Sequence, residues 1–153
     1  MNTESTEENT SSLSKWMVEL AQGHSCASIA IPIPKVQQEL RNGINACVID
    51  SLQHFIPMPL IIGALGLTER TVKLKVANQI KLNASQSDTL LHLVRTWCKL
   101  LSFFDGRRDL LLMWLDSEVR ALEETQLRLL MQTAYGRNVL IRLIDEMRVG
   151  EIA

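Results

Sequence analysis

The chain has 153 residues, enough for one ordinary domain or two small helical modules sharing a core. An apolar content of 46% excludes a chain disordered over most of its length. Only 5% is aromatic, and the Leu, Ile, Val and Ala that fill the apolar positions favour helices over a sheet. The formal net charge of −1 conceals an asymmetry. From Thr68 to Arg108 eight basic residues face three acidic ones, whereas from Asp109 onward five arginines face eight carboxylates. A basic middle beside an acidic last third predicts two surfaces with different partners.

Residues 1–12 carry no hydrophobic pattern and are expected to form a disordered tail. Leu13, Trp16, Met17 and Leu20 are helix-spaced, and Gly23 is suited to stop that helix. Ile29 to Pro34 reads as an extended connector, because Pro32 and Pro34 bias the residues before them away from helix. A second helix is expected from about Pro34 to Leu40. After Gly43, helical spacing resumes from Ile44 to Phe55. Pro57 and Pro59 break the chain, and Leu60 to Leu65 makes a short apolar helix closed by Gly66. Thr68 is a good cap for the next helix, Glu69 suits its positive end, and Val72 and Val76 share a face. Two short helices meeting across Gly66-Leu67 are the signature of a helix-turn-helix.

The strongest helix follows, with Leu90, Leu93, Val94, Trp97, Leu100, Leu101 and Phe104 on one face. Ser85 with Asp88 is the expected capping box. Three shorter helices complete the chain, at about 107–116, 123–132 and 137–148, with Gly136 separating the last two. No segment reads as a strand. The expected architecture is all-α, with a helical, helix-turn-helix module over 13–82 and a second helical module over 83–153.

The pattern holds little that points to catalysis. His24, His54 and His92 are far apart, and none pairs with Cys or a carboxylate at metal-ligand spacing. His24-Ser25-Cys26 is the one local nucleophile-like cluster, beside a connector. No phosphate-cradling glycine loop is present. Cys26, Cys47 and Cys98 are odd in number, lack a CxxC pair and read as reduced, partly buried thiols. The acidic N-terminus and the lack of a membrane-length apolar run predict a cytoplasmic protein that needs no membrane. A binding protein is expected, without cofactor or metal, and not an enzyme.

The order of motifs resembles one known group. Leu65-Gly66-Leu67-Thr68-Glu69-Arg70-Thr71 is followed by Leu82, Ser87-Asp88, Leu90 and Leu93, then by Asp109 to Trp114-Leu115 and Arg120-Ala121-Leu122. Gly136, Val139 and Met147-Arg148-Val149-Gly150 continue the match. This set, over roughly residues 40–152, is similar to the Xre/MbcA/ParS group of antitoxins. It departs from that pattern at Glu123-Glu124-Thr125-Gln126, where the group has a Gly-Gly turn and a Pro, and a helical turn is expected there instead.

The resemblance implies a homodimer whose helix-turn-helix binds operator DNA and represses its own operon. It implies a last helix that neutralises a RES-type toxin, an NAD-consuming enzyme, by blocking its active-site cleft. That toxin-binding role falls on Arg137, Arg142, Arg148, Val149, Gly150 and Glu151. Arginines at 137 and 142 are suited to pair with acidic catalytic residues, and a terminal carboxylate is suited to imitate pyrophosphate. For DNA the candidates are Thr68, Arg70, Thr71, Lys73, Lys75 and Lys81: lysines suit phosphates, Arg70 suits guanine as well, and the threonines lie at a helix start that favours anions. The competing reading is a stand-alone helix-turn-helix regulator whose last helices only dimerise it.

Overall fold

Among the described residues, four helices begin where a side chain accepts from an otherwise unpartnered first-turn amide. The structure, a computed structural model, describes residues 11–23, 31–119, 122–123 and 125–150. Ser11 caps α1 (Ser12–Ala21), its Oγ accepting from the Ser14 amide at 3.1 Å, so Ser11 and Ser12 belong to this helix and not to a tail. Residues 1–10 lie outside the described residues. α2 (Ile33–Asn42) has Pro34 in its first turn, where the fixed φ suits a helix start and the missing N–H would have had no helical partner. It stops at Gly43, with φ +87°; a Cβ there would collide with the Leu82 carbonyl.

The helix expected to resume at Ile44 starts later, as the single turn of α3 (Val48–Leu52). Residues 44–46 instead run antiparallel to 80–82 through one isolated bridge, Asn45 to Lys81. Leu82 N–H donates to Ile44 O at 2.8 Å and Ala46 N–H to Ile80 O at 2.9 Å. Buried Ser87 completes the clamp, its Oγ accepting the Ile44 amide at 2.9 Å. Local apolar spacing was outweighed by these long-range bonds.

α4 (Met58–Leu65) starts two residues before the expected Leu60, because Pro59 is accommodated in its first turn instead of breaking the chain, and α5 (Glu69–Ala77) follows Thr68 as expected. α6 (Ala84–Phe103) is capped by Asn83 and Gln86, each side chain bonding the other's amide, rather than by Ser85 and Asp88. The helix starts two residues earlier than expected, with Asn83 in extended backbone (φ −71°, ψ 173°) at the cap. α7 (Arg108–Leu115) leads into a hairpin of β1 (Glu118–Val119) and β2 (Thr125–Gln126), with Glu118 opposite Gln126 and Val119 opposite Thr125. This hairpin replaces the first half of the helix expected over 123–132. Glu123 takes a positive φ of 56°, which a helical turn does not allow. Only α8 (Leu127–Leu130) remains of that helix.

α9 (Ala134–Arg148) starts before Gly136, so that glycine lies in its first turn instead of separating two helices. The reason is steric: a Cβ at Gly136 would strike the Leu130 carbonyl, and only glycine lets α9 pack this closely on α8.

Among the described residues the fold is all-α apart from this hairpin. α6 is the axis, touched by α1, α2, α4, α7 and α9. Its stripe Leu90, Leu93, Val94, Trp97, Leu100 and Leu101 is buried, and the same core runs from Leu13 to Ile144. The two modules expected on either side of residue 82 therefore share one hydrophobic interior. Cys98, fully buried on α6, is disulfide-bonded and not reduced, a link for which the spacing of the cysteines gave no signal. Cys47 is a free but exposed thiol, and Cys26 lies outside the described residues. No described helix is long and apolar enough to cross a membrane.

Candidate functional site

Two helices present solvent faces that the core does not use. The first is α5. α4 ends at Gly66 in the left-handed conformation (φ 67°, ψ 25°), its amide donating to Ile62 O at 3.0 Å. The turn lets the chain reverse towards Thr68, whose Oγ1 caps α5 by accepting the Thr71 amide at 3.1 Å. The Thr68 and Thr71 hydroxyls also bond one another at 2.8 Å. Val72 is buried and Val76 half-buried, which turns Arg70, Lys73, Leu74 and Ala77 outward in one row, spaced i, i+3, i+4, i+7. With Glu69 these residues line a shallow open depression. Lys73 is paired with Glu69 at 3.0 Å in a solvent-exposed bridge worth little.

Thr68, Arg70, Thr71 and Lys73 are thus together at the head and outer face of α5. Lys75 is not with them: at 100° per residue it points about 140° away from Arg70, towards the half-buried side. Lys81 stands on the bridge to Asn45 and lines a different cleft of about 690 Å³ with Lys15, Glu19 and Glu39. The six candidate residues form a group of four and two outliers.

The second face is that of α9. Thr133 caps it, accepting the Gly136 amide at 2.9 Å. Leu140, Leu143 and Ile144 face the core, and Arg137 faces it with them, only 2% exposed. Its Nε donates to His92 Nδ1 at 2.7 Å and its Nη1 to Met131 O at 2.7 Å. Arg137 therefore ties α9 to α6 and to the end of α8, and is not offered to a partner: the expectation that it reaches a toxin is corrected by its burial. Because His92 accepts through Nδ1, it is neutral with its proton on Nε2. Burial, then the Arg137 cation beside it, hold the His92 pKa below the usual histidine value, against the opposing pull of Asn138 and Asp88.

Arg142 is exposed on the outer side. Tyr135, Asn138, Arg142, Asp145 and Val149 form one solvent stripe with spacings of three and four residues, and its ends are apolar: Tyr135 is 80% exposed and Val149 68%. Tyr135 was missed by the sequence reading; it sits two residues before Arg137, on the side opposite the core. Arg148 lies at the inner edge, its guanidinium 5.6 Å from the Phe103 ring centroid, and shares a small cleft with Lys99, Ser102 and Asp145. Gly150, with φ +73°, follows the helix end, and Glu151 lies outside the described residues.

No group of three His, Cys, Asp or Glu among the described residues is placed to hold a metal ion. The His24-Ser25-Cys26 cluster lies outside the described residues. No protein-family model matches this sequence, and no curated protein is similar to it.

Proposed function

We propose that this chain is an antitoxin of the Xre/MbcA/ParS type: a binding protein with one face for operator DNA and another for a RES-type, NAD-consuming toxin. The observation that carries the reading is the pair of α4 and α5 joined through Gly66, with a basic outer face on α5. The same core holds α9 with an outer stripe that no described residue covers. A helix-turn-helix presents its second helix to the major groove, and α5 is that helix here. Thr68, Thr71 and Lys73 are placed for phosphates at its start, and Arg70 for a phosphate or a base edge.

The toxin-binding role goes to the outer stripe of α9 and the residues after it: Tyr135, Arg142, Arg148, Val149 and Gly150. Tyr and Arg are the residues that most often anchor an interface, and Arg142 has a planar fork suited to a carboxylate in an enzyme cleft. Twofold pairing of this stripe with a second copy, centred on Arg142, would oppose that cation to itself, so the homodimer is assigned to another face.

The test mixes the full chain with the RES-domain product of the neighbouring reading frame and follows NAD consumption. Inhibition is expected, and Tyr135→Ala with Arg142→Glu is expected to abolish it while DNA binding and helicity stay unchanged. Truncation before Arg137 is unsuitable, because it would remove Leu140, Leu143 and Ile144 from the core. Unimpeded NAD consumption beside the intact chain overturns the antitoxin reading, and DNA binding without inhibition would favour a stand-alone regulator.

A further inference from the structure

The outer row of α5 contains something that phosphate binding alone does not use. On the outer row itself two basic residues, Arg70 and Lys73, stand against one acidic, Glu69, and this excess of positive charge suits a polyanion. Yet Leu74, one turn beyond Arg70 on the same row, is 52% exposed, and Ala77 continues the apolar line beside it. Lysines suffice for backbone contact. An arginine and an exposed aliphatic group on one edge of a nine-residue helix are suited to base edges instead.

In the major groove only thymine offers a methyl group, and only guanine offers two acceptors, N7 and O6, to a guanidinium fork. Lys73 is a point charge suited to a phosphate, whereas Arg70 forms no salt bridge among the described residues and carries a planar fork, so Arg70 is the cation suited to turn into the groove. Four residues along a helix advance about 6 Å. Base pairs rise about 3.4 Å. Contacts from Arg70 and Leu74 therefore fall within about two base pairs of one another.

We infer that α5 reads sequence through Leu74 on the C5-methyl of a thymine and Arg70 on a guanine within two base pairs of it. The inference rests on the DNA-binding reading and adds the bases that α5 selects.

The test begins with a duplex selected by the full chain from a random-sequence library. Each thymine of the selected duplex is then replaced in turn by deoxyuridine, which removes the methyl and leaves base pairing intact. One replacement is expected to weaken binding about fourfold, the worth of one buried methyl group. Leu74→Ala, at an exposed position that leaves the core untouched, is expected to bind the two duplexes within about twofold of each other. Replacing a guanine within two base pairs by 7-deazaguanine is expected to weaken the wild type about fivefold or more and to leave Arg70→Ala unaffected.

Equal binding of every deoxyuridine duplex by the wild type overturns the inference while the DNA-binding reading stands. A methyl preference that survives in Leu74→Ala overturns it too, because the reader then lies elsewhere. Failure to select any duplex overturns the DNA-binding reading itself.

Discussion

Replacing Arg137 by methionine isolates what a buried guanidinium contributes where no carboxylate is paired with it among the described residues. Methionine keeps much of the stem volume, so the change removes two hydrogen bonds and a charge more than it opens a cavity. Two effects oppose each other. Relief of a buried charge favours the variant, and such relief can make replacement of buried ions by apolar residues neutral or stabilising. Against it, the Met131 carbonyl loses its 2.7 Å donor in a buried setting, which costs about 1–3 kcal/mol. His92 is half-buried, so its Nδ1 can turn to water and adds less.

The carbonyl wins because it is fixed at the tight α8–α9 turn, where Gly136 leaves no slack for it to find another donor. A loss of about 2 kcal/mol is expected, lowering the Tm by about 4–8 °C for a domain of this size. Urea unfolding followed by circular dichroism measures it, with the midpoint falling and the slope unchanged. Arg137→Lys should fall between, because one ammonium cannot copy the fork. If Arg137→Met proves as stable as the wild type or more so, desolvation outweighs the two bonds and the reasoning is wrong.

His92 adds a pH dependence. Its folded pKa lies below the ordinary histidine value of 6.5, so the unfolded chain takes up the proton first; its contribution is complete above 6.5 and declines as pH falls towards the folded value. Urea midpoints between pH 7.5 and 5 should fall, and less steeply in His92→Gln, whose Oε1 can still accept from Arg137. Gly136→Ala drives a methyl into the Leu130 carbonyl and should cost about 1–3 kcal/mol, read as a lower Tm. Asn83→Ala removes one half of the α6 capping box and should cost about 1 kcal/mol by urea titration, with Asn83→Ser recovering most of it.

What the sequence disclosed depended on how local the cause was. α4, its turn and α5 were readable because Pro57, Gly66 and Thr68 each act within a few residues of themselves. The long stripe of α6 was readable because twenty helical residues repeat one period many times. Ile44 to Cys47 and the 118–126 hairpin were not, since their bonds reach partners that local periodicity does not register.

The inward turn of Arg137 had a signal that charge obscured: it stands three residues before Leu140 and seven before Ile144, on the stripe that periodicity gives to the core. Counted the same way, Tyr135 falls on the outer side with Arg142. On α5, the expectation that four basic residues act together treated a helix as a line. Its circumference parts Lys75 from Arg70, and the bridge to Asn45 takes Lys81 away altogether.

The course of α6 along the whole interior bears on how the molecule comes apart. A helix that lends flanks to α1, α2 and α4 as well as to α7 and α9 leaves neither half a complete hydrophobic lining of its own. Expressed separately, residues before Asn83 would bare the leucines and isoleucines that α6 shelters, and residues after it would bare the opposite side of that rod. Melting should thus be a single all-or-none event, seen alike from Trp16 and from Trp114. A change that loosens the seat of α5 is then expected to lower the stability of α9 by the same amount.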